Sequence, residues 1–182
     1  TNAHIATGEP GSTAASTLPL QDILVTDGVF TAFGPGLAQQ YEAQGGDLAA
    51  IEVVDLGGKL VCPPFCDTHL HLDYVFTARK PGAVNESGTL FEGIQRWSET
   101  KSDLTVDEIK QRAKIGIKKE MLHGVQLIRS HADVTDPNLT SLKALLELKE
   151  ELKDTVTLQI VSFPQEGMYS YEGPHGESGA EL

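Results

Sequence analysis

The sequence predicts an α/β fold in which a small β element precedes a series of alternating strands and helices. Three observations carry this prediction. A β-hairpin pattern lies before residue 40, two amphipathic helical patterns lie after residue 100, and apolar strand-like runs precede, separate and follow those helices. The order strand, helix, strand, helix, strand is typical of right-handed βαβ units, which build a parallel sheet.

Residues 1–61 are expected to form the small β element, with a loose N-terminal arm at its start. Residues 1–19 are rich in Gly, Ser, Thr and Ala, and they show neither a period of two nor a helical period. Such a composition indicates a loop. His4 falls within this loop and carries no functional signal.

Two short β-rich runs follow the arm. Residues 21–26 and 29–33 are separated by Asp27–Gly28, a dipeptide that strongly favours a two-residue hairpin turn. Residues 51–56 predict a further strand, and Gly57–Gly58 predicts the turn that ends it.

The first long helical pattern begins at Thr105 and ends before Gly124. Thr105 and Glu108 have the spacing of a capping box, and Gly124 is a natural C-terminal cap. Apolar residues recur between them at helical spacing, namely Val106, Ile109, Ala113, Ile117 and Met121. Strands are predicted on both sides of this helix, one leading out of the apolar run 59–65 and one at 125–134.

The second long helical pattern starts at Asp136–Pro137, which predicts an N-cap followed by proline at the first helical position. It runs to about Lys153, and its apolar stripe consists of Leu139, Leu142, Leu145, Leu146 and Leu148. A third strand is predicted at 156–163. Trp97 is expected to pack a short helix against the core.

Charge and composition exclude several classes of partner. The 182 residues include 14 Lys and Arg against 26 Asp and Glu, a formal net charge of -12, and 40% are apolar, enough for a globular core. Nucleic-acid polymers and anionic membranes are recognised through excess positive charge, so neither is expected here. No apolar run approaches the ~20 residues of a membrane-spanning helix, and the first 20 residues do not resemble a signal peptide. A cytoplasmic location is expected.

The two cysteines, Cys62 and Cys66, lie four residues apart around two prolines. This is not a disulfide framework, and both are interpreted as small buried apolar residues. A four-ligand zinc knot with the nearby histidines is disfavoured, because ligand pairs of structural zinc sites are usually separated by a loop.

The densest group of polar side chains follows the first strand of the alternating part, at residues 66–73. His69 and His71 are two residues apart, so in an extended strand both imidazoles point to the same side. The pair suits one divalent metal ion, zinc or iron. Surface histidines also pair by chance, but in a series of βα units active sites gather at the C-terminal ends of the strands.

Other polar candidates follow the second and third strands. His131 and Asp133 end the second strand and are assigned either to supporting the metal or substrate site or to a structural hydrogen bond. Gln165 and Glu166 end the third strand, where an amide can read a heterocyclic ring edge or merely cap the strand. His123 is expected to complement the helix dipole at the C-terminus of the first long helix.

Four segments together resemble a known family. The segment Pro63–Asp73 resembles the first barrel strand of the amidohydrolase superfamily, with its His-x-His metal pair. The segments at 87–94, 129–134 and 163–167 are similar to bacterial cytosine deaminases. The resemblance covers residues 25–182, and the Gly-Thr-Leu-Phe-Glu-Gly and Phe-Pro-Gln-Glu-Gly motifs point to the cytosine deaminase branch.

The resemblance implies the N-terminal part of a (β/α)₈ TIM barrel, preceded by strands of a small β-sandwich. Residues 1–61 would hold the sandwich strands and residues 62–182 the first three βα units. It further implies one divalent metal ion, Fe²⁺ or Zn²⁺, bound by His69 and His71, and a substrate contacted by Gln165 and by the backbone of Leu90.

The reaction implied is hydrolysis of cytosine to uracil and ammonia by metal-activated hydroxide. No catalytic acid or base is identified in this chain, because the resemblance places those groups, a third His and a metal-binding Asp on later strands. The stretch 74–86 is expected to form a lid over the pocket. Since such a barrel needs about 250 residues, the 182-residue chain is expected to hold only part of the site.

Alternatives remain open at this point. Isoguanine, methylcytosine, creatinine or an s-triazine could be the ring substrate, because relatives with the same barrel act on them. The chain could instead be a non-catalytic fragment or assembly partner whose sheet is completed by another polypeptide. A ring-opening hydantoinase or dihydroorotase is disfavoured, since no carboxylated Lys can be placed. A homo-oligomer, or completion by the remainder of the same chain, is expected.

Overall fold

The computed structural model describes residues 1–6, 18–169, 172 and 175–176. The chain divides into two compact units, Thr1–Pro63 and Pro64–Leu182. Most of the predicted N-terminal arm, residues 7–17, lies outside the described residues. The described helices contain no segment with both the length and the apolar character that crossing a membrane requires.

The first unit contains a four-stranded sheet in the order β3-β2-β1-β4. Its strands are β1 (Ala3–Ile5), β2 (Leu20–Thr26), β3 (Val29–Gly34) and β4 (Leu60–Val61). β2 and β3 form the predicted antiparallel hairpin. Asp27 and Gly28 have φ angles of 52° and 76°, the left-handed backbone that the Asp-Gly dipeptide favours in such a turn. Helix α1 (Leu37–Ala43) follows the hairpin.

Two predictions for the first unit are wrong. Residues 3–5 form strand β1 rather than a loop, because Ala3 is buried and pairs with Gln21 of β2, while His4 pairs with Leu60 of β4. Residues 51–56 are not a strand. The backbone there makes isolated hydrogen bonds with Thr1 instead of a continuous ladder, and its valines stay exposed.

The second unit contains a three-stranded parallel sheet in the order β5-β6-β7. Its strands are β5 (Phe65–Leu70), β6 (Val125–Asp133) and β7 (Thr157–Phe163), and its helices are α2 (Leu90–Lys101), α3 (Val106–Leu122) and α4 (Thr140–Glu151). The predicted order of alternating strands and helices is confirmed. Among the described residues this sheet has three strands and does not close into a barrel.

The two long helices begin differently. In α3 the predicted capping box is present, with the Thr105 side chain and the Glu108 carboxylate each accepting the other's backbone N–H. The predicted start of α4 at Asp136–Pro137 is wrong. The Asp136 carboxylate accepts the backbone N–H groups of Asn138 and Thr140, which holds a turn there, and Leu139 has a left-handed φ of 52°. Helix α4 therefore begins three residues after the proline.

The core of the second unit lies between the sheet and helices α3 and α4. Its buried residues are Leu72, Ala113, Ile117, Ile128, Ala132, Leu145, Leu148, Val156 and Leu158. A smaller cluster surrounds Trp97, which confirms that this residue packs α2 inward. Leu146, predicted in the apolar stripe of α4, is 49% exposed, because the helix turns it away from the sheet.

The prediction that Cys62 and Cys66 are buried is wrong. Both are exposed free thiols. Cys66 lies on β5, which pairs with β6 on one side and is an edge strand of the sheet that the described residues form. Cys62 lies in the connection between β4 and β5. Neither thiol is therefore packed inside the hydrophobic core.

Candidate metal and substrate site

The carboxyl end of β5 presents two imidazoles to each other. His69 lies in the strand and His71 directly follows its last residue. Their Nε2 atoms are 3.3 Å apart, and their rings are tilted by 59°. The extended backbone of the strand places them on one side, as the two-residue spacing predicts.

Neighbouring groups from β6 fix the position of His71. Its Nδ1 atom lies 3.1 Å from the carbonyl oxygen of His131. The next residue along, Leu72, donates its backbone N–H to the hydroxyl of Ser130 at 3.0 Å. The ring of Tyr74 stacks on the ring of His71, with centroids 4.6 Å apart. The imidazole is therefore held by its backbone, by a hydrogen bond and by an aromatic neighbour.

The separation of the two Nε2 atoms fits a shared metal ion. Two nitrogens that each lie at about 2.0–2.1 Å from one zinc ion, with a tetrahedral angle between them, are about 3.3–3.4 Å apart. The observed 3.3 Å matches this value. Over the described part of the chain, no group of three or more His, Cys, Asp or Glu side chains is arranged to hold a metal ion. The pair thus offers two nitrogen donors, and the assignment of both as ligands stays a prediction.

A third imidazole lies beside the pair. The ring of His131 stacks on that of His69, with centroids 4.0 Å apart and planes 19° from parallel. Burial lowers the pKa of His71, and the neighbouring His69 and His131 lower it further. Burial also lowers the pKa of His131, with His69 adding to the effect. Both rings therefore favour the neutral form, which has a lone pair available for a metal ion.

A cleft of about 470 Å³ lies in the same unit, and it contains both predicted substrate-binding residues. Leu90, the first residue of α2, lies on its wall together with Gln165, which follows β7. Tyr74 and Trp97 also line it, and their rings are in contact, with centroids 4.7 Å apart. Tyr74 thus touches His71 on one side and lines the cleft on the other.

The stretch 74–86, which is expected to form a lid over the pocket, supplies several of the residues that line the cleft. It is held at both ends. The Arg112 guanidinium donates to the carbonyl oxygen of Val75 at 2.7 Å. At the other end, Glu92 of α2 accepts the backbone N–H of Glu86 at 3.0 Å. These contacts keep the segment against α2 and α3.

Two buried carboxylates lie behind the site, and sequence reasoning missed their connection. Asp73 accepts the backbone N–H of Asp133 at 2.8 Å. Burial, with the nearby Asp133 carboxylate adding to it, raises the pKa of Asp73 to about 6. Asp133 in turn accepts the indole N–H of Trp97 at 2.6 Å. Of the two roles considered for Asp133, the structure shows the hydrogen-bonding one.

Lys101, at the end of α2, joins the same network and was not singled out from the sequence. A lysine in the last turn of a helix ordinarily indicates a solvated residue that complements the helix dipole. Lys101 differs from such a solvated lysine through its contact with Asp133, which is visible only in the folded structure. His123, by contrast, is the C-cap of α3, as its position in the sequence predicts.

Comparison with known proteins places the chain in a family. The sequence profile of the amidohydrolase family matches residues 52–181, well over half of the chain. Among curated proteins, the N-isopropylammelide isopropyl amidohydrolase of Pseudomonas sp. (strain ADP) is 35% identical over 120 residues, which is 64% of this chain and 30% of that protein. The pterin deaminase of Rhizobium rhizogenes is 27% identical over 152 residues, 81% of this chain and 32% of that protein.

Solved structures give the same result. The crystal structure of 5-methylcytosine deaminase from Klebsiella pneumoniae liganded with 5-fluorocytosine is 38% identical, with a TM-score of 0.70 over 96% of this chain and 38% of that one. The same enzyme liganded with phosphonocytosine gives 39% identity and a TM-score of 0.66 over the same shares. The N-isopropylammelide isopropylaminohydrolase of Burkholderia multivorans shares the fold, with 24% identity and a TM-score of 0.56 over 83% of this chain and 36% of that one.

The chain spans about a third of the length of these relatives. The matched region includes β5 with its histidine pair, the cleft and all three strands of the parallel sheet. The chain belongs to the amidohydrolase family, whose members hydrolyse C–N bonds and are typically metal-dependent.

Proposed function

We propose that this chain supplies two metal ligands and the ring-binding cleft of a hydrolase that removes the amino group from cytosine or a closely related aminated heterocycle. The carrying observation is the pair of imidazoles at the end of β5, with Nε2 atoms 3.3 Å apart beside a cleft that holds Leu90 and Gln165. The net reaction converts cytosine and water to uracil and ammonia.

His69 and His71 are the proposed ligands of one divalent ion, Zn²⁺ or Fe²⁺. When bound, such an ion lowers the pKa of a water molecule so that attack on the amine-bearing carbon is possible near neutral pH. Both histidines contribute nitrogen donors, and burial lowers the pKa of His71, which favours its neutral form near neutral pH. The carbonyl of His131 holds the ring of His71 in position.

Gln165 is proposed to read the edge of the ring, because its amide offers a donor and an acceptor side by side. The backbone of Leu90, which lines the same cleft, is proposed as the second contact. Tyr74 and Trp97 provide flat apolar walls against which a planar ring can pack. Burial raises the pKa of Tyr74 to about 12, so its hydroxyl keeps its proton at neutral pH.

The choice of substrate class is supported by the relatives. One matching structure is a 5-methylcytosine deaminase with 5-fluorocytosine bound, and a curated relative is a pterin deaminase. Both names describe removal of an amino group from a nitrogen heterocycle. The acidic net charge of -12 also favours a small uncharged base over a nucleic-acid polymer.

Ammonia release tests the proposal. The intact gene product, loaded with Zn²⁺ or Fe²⁺, is assayed with cytosine, 5-methylcytosine, isoguanine, creatinine and an s-triazine. We expect release from at least one aminated pyrimidine, at least a hundredfold loss in His69→Ala and His71→Ala, and no change in His123→Ala, the matched histidine at the C-cap of α3. Release from creatinine or the triazine alone would assign that ring, and not an aminated pyrimidine, as the substrate.

The assay also decides the non-catalytic alternative. If the metal-loaded gene product is folded and releases ammonia from none of these rings, the chain is better explained as an assembly partner. The edge strands β5 and β7 then mark where another polypeptide would pair.

A further inference from the structure

The Lys101 ammonium makes three short contacts in an almost fully enclosed position. Its Nζ donates to the hydroxyl of Thr135 at 2.6 Å, to Oε1 of Glu166 at 2.8 Å and to Oδ2 of Asp133 at 3.3 Å. Its side chain is 11% exposed. An ammonium has three protons, so this arrangement gives each of them an acceptor.

The three acceptors come from two different parts of the sheet. Asp133 is the last residue of β6, and Thr135 lies just beyond it. Glu166 lies in the turn that follows β7. Lys101 itself is the last residue of α2. One ammonium therefore ties a helix end to the carboxyl ends of two neighbouring strands.

Two of these elements, α2 and the turn after β7, also line the cleft, together with residues of the stretch 74–89. Helix α2 presents its first residue, Leu90, to the cleft, and Trp97 of the same helix lines it further along. Gln165, which also lines the cleft, is the residue before Glu166. The contact between Lys101 and Glu166 therefore links helix α2 to the residue that follows Gln165.

We propose that Lys101 is a positioning residue that sets where Gln165 lies relative to α2, and so sets how a planar ring is read in the cleft. This inference rests on the proposed function for the identity of the ring. Lys101 does not line the cleft and is not assigned a catalytic role.

The other contacts of the network explain why loss of Lys101 should act on the Gln165 turn in particular. Asp133 keeps three further donors, which are the Trp97 indole and the backbone and hydroxyl groups of Thr135. For Glu166, Lys101 is the ion-pair partner found among the described residues. Removing the ammonium leaves these contacts at the end of β6 in place and removes the ion pair of Glu166 in the turn after β7.

Kinetics of three variants test this role in the intact gene product. Lys101→Met keeps approximately the length of the side chain and removes its charge. Glu166→Ala removes the other end of the link, while Lys101 keeps Asp133 and Thr135 as partners. We expect both to raise KM for the deaminated ring by about tenfold, with kcat changed less than about threefold, because a misplaced Gln165 weakens substrate and transition state alike.

Lys110→Met is the matched control. Lys110 also forms two ion pairs, with Glu147 and Glu151 of α4, but it lies outside the cleft. Its KM should equal that of the wild type. A wild-type KM in Glu166→Ala overturns the proposal, as does an equal rise of KM in Lys110→Met. If Lys101→Met does not fold, Glu166→Ala decides alone.

A ligand-free measurement separates this proposal from the proposed function. The side-chain amide resonances of Gln165 are identified by their loss in Gln165→Ala. They should shift in Lys101→Met and in Glu166→Ala but not in Lys110→Met, whether or not the protein releases ammonia. Unshifted amide resonances in both variants overturn the positioning role even if deamination is observed, and shifted resonances support it even if deamination is absent.

Discussion

The Nδ1 atom of His71 lies 3.1 Å from the backbone carbonyl oxygen of His131. A carbonyl oxygen can only accept a hydrogen bond, so Nδ1 carries the proton and Nε2 presents its lone pair toward His69. The contact joins the end of β5 to the end of β6. Correct pairing of the two strands therefore also selects the tautomer of His71 in which Nε2 can bind a metal ion.

The first prediction concerns metal affinity. His69→Ala and His71→Ala should each weaken Zn²⁺ binding by more than about tenfold, because each removes one of two nitrogen donors. Calorimetric titration in competition with a chelator measures the change. His123→Ala provides the control, since His123 caps α3 and should leave the affinity unaltered. Equal affinity in all three variants would show that the ion binds elsewhere.

A second prediction concerns pH and the segment that borders the cleft. Hydrogen bonds from the side chain and backbone of Ser87, with a further one from the backbone of Glu86, lower the pKa of Glu92 to about 2. The folded pKa is thus below the unfolded value of about 4.5. The stabilisation is complete above pH 4.5 and is lost as the pH falls toward 2.

Denaturation of wild type and Glu92→Gln over pH 2 to 6 checks this prediction. The wild type should be the more stable protein at pH 6, and the difference should shrink steadily below about pH 4.5. Glu150→Gln, on the exposed face of α4, controls for the loss of a carboxylate as such. A difference that stays constant down to pH 2 would contradict the role assigned to Glu92.

Much of the second unit could be predicted because its local signals and its packing agree. The capping box at Thr105 and the apolar spacing of α3 indicate the same helix. The Asp136–Pro137 signal was misleading because an Asp carboxylate can bond the N–H groups of a turn as well as those of a helix. Whether a turn or a helix forms at Asp136 depends on where the following helix, α4, must pack.

The candidate site likewise contains residues that could be predicted from the sequence and residues that could not. The histidine pair has a local spacing that determines which side of the strand each ring faces, so it could be identified from the sequence. Lys101 and Glu166 are 65 residues apart, and their contact exists only because β7 lies beside β6. Lys101 has no local signal, and the position of Glu166 after the third strand does not indicate its partner. The exposure of Cys66 likewise depends on its place in an edge strand, which no property of the residue itself encodes.

A third prediction tests the assignment of the core with two adjacent leucines. Leu145 is fully buried between α4 and the sheet, whereas Leu146 is 49% exposed. Leu145→Ala should lower the free energy of unfolding by about 2–5 kcal/mol, and Leu146→Ala by less than about 0.5 kcal/mol. Urea denaturation at constant pH measures both. Similar losses in the two variants would mean that α4 is rotated relative to the structure described.

A fourth prediction uses two glycines in and just beyond α3. Gly116 lies in the helix, and a Cβ there would meet Leu72 at 3.4 Å and Val75 at 3.6 Å, which is ordinary contact. Gly116→Ala should therefore stabilise the protein by about 0.5–1 kcal/mol through helix propensity. Gly124 has a left-handed φ of 86°, so Gly124→Ala should destabilise it by about 1–2 kcal/mol. Thermal unfolding of both variants gives the signs, and a loss of stability in Gly116→Ala would show that Leu72 and Val75 cannot accommodate a methyl group.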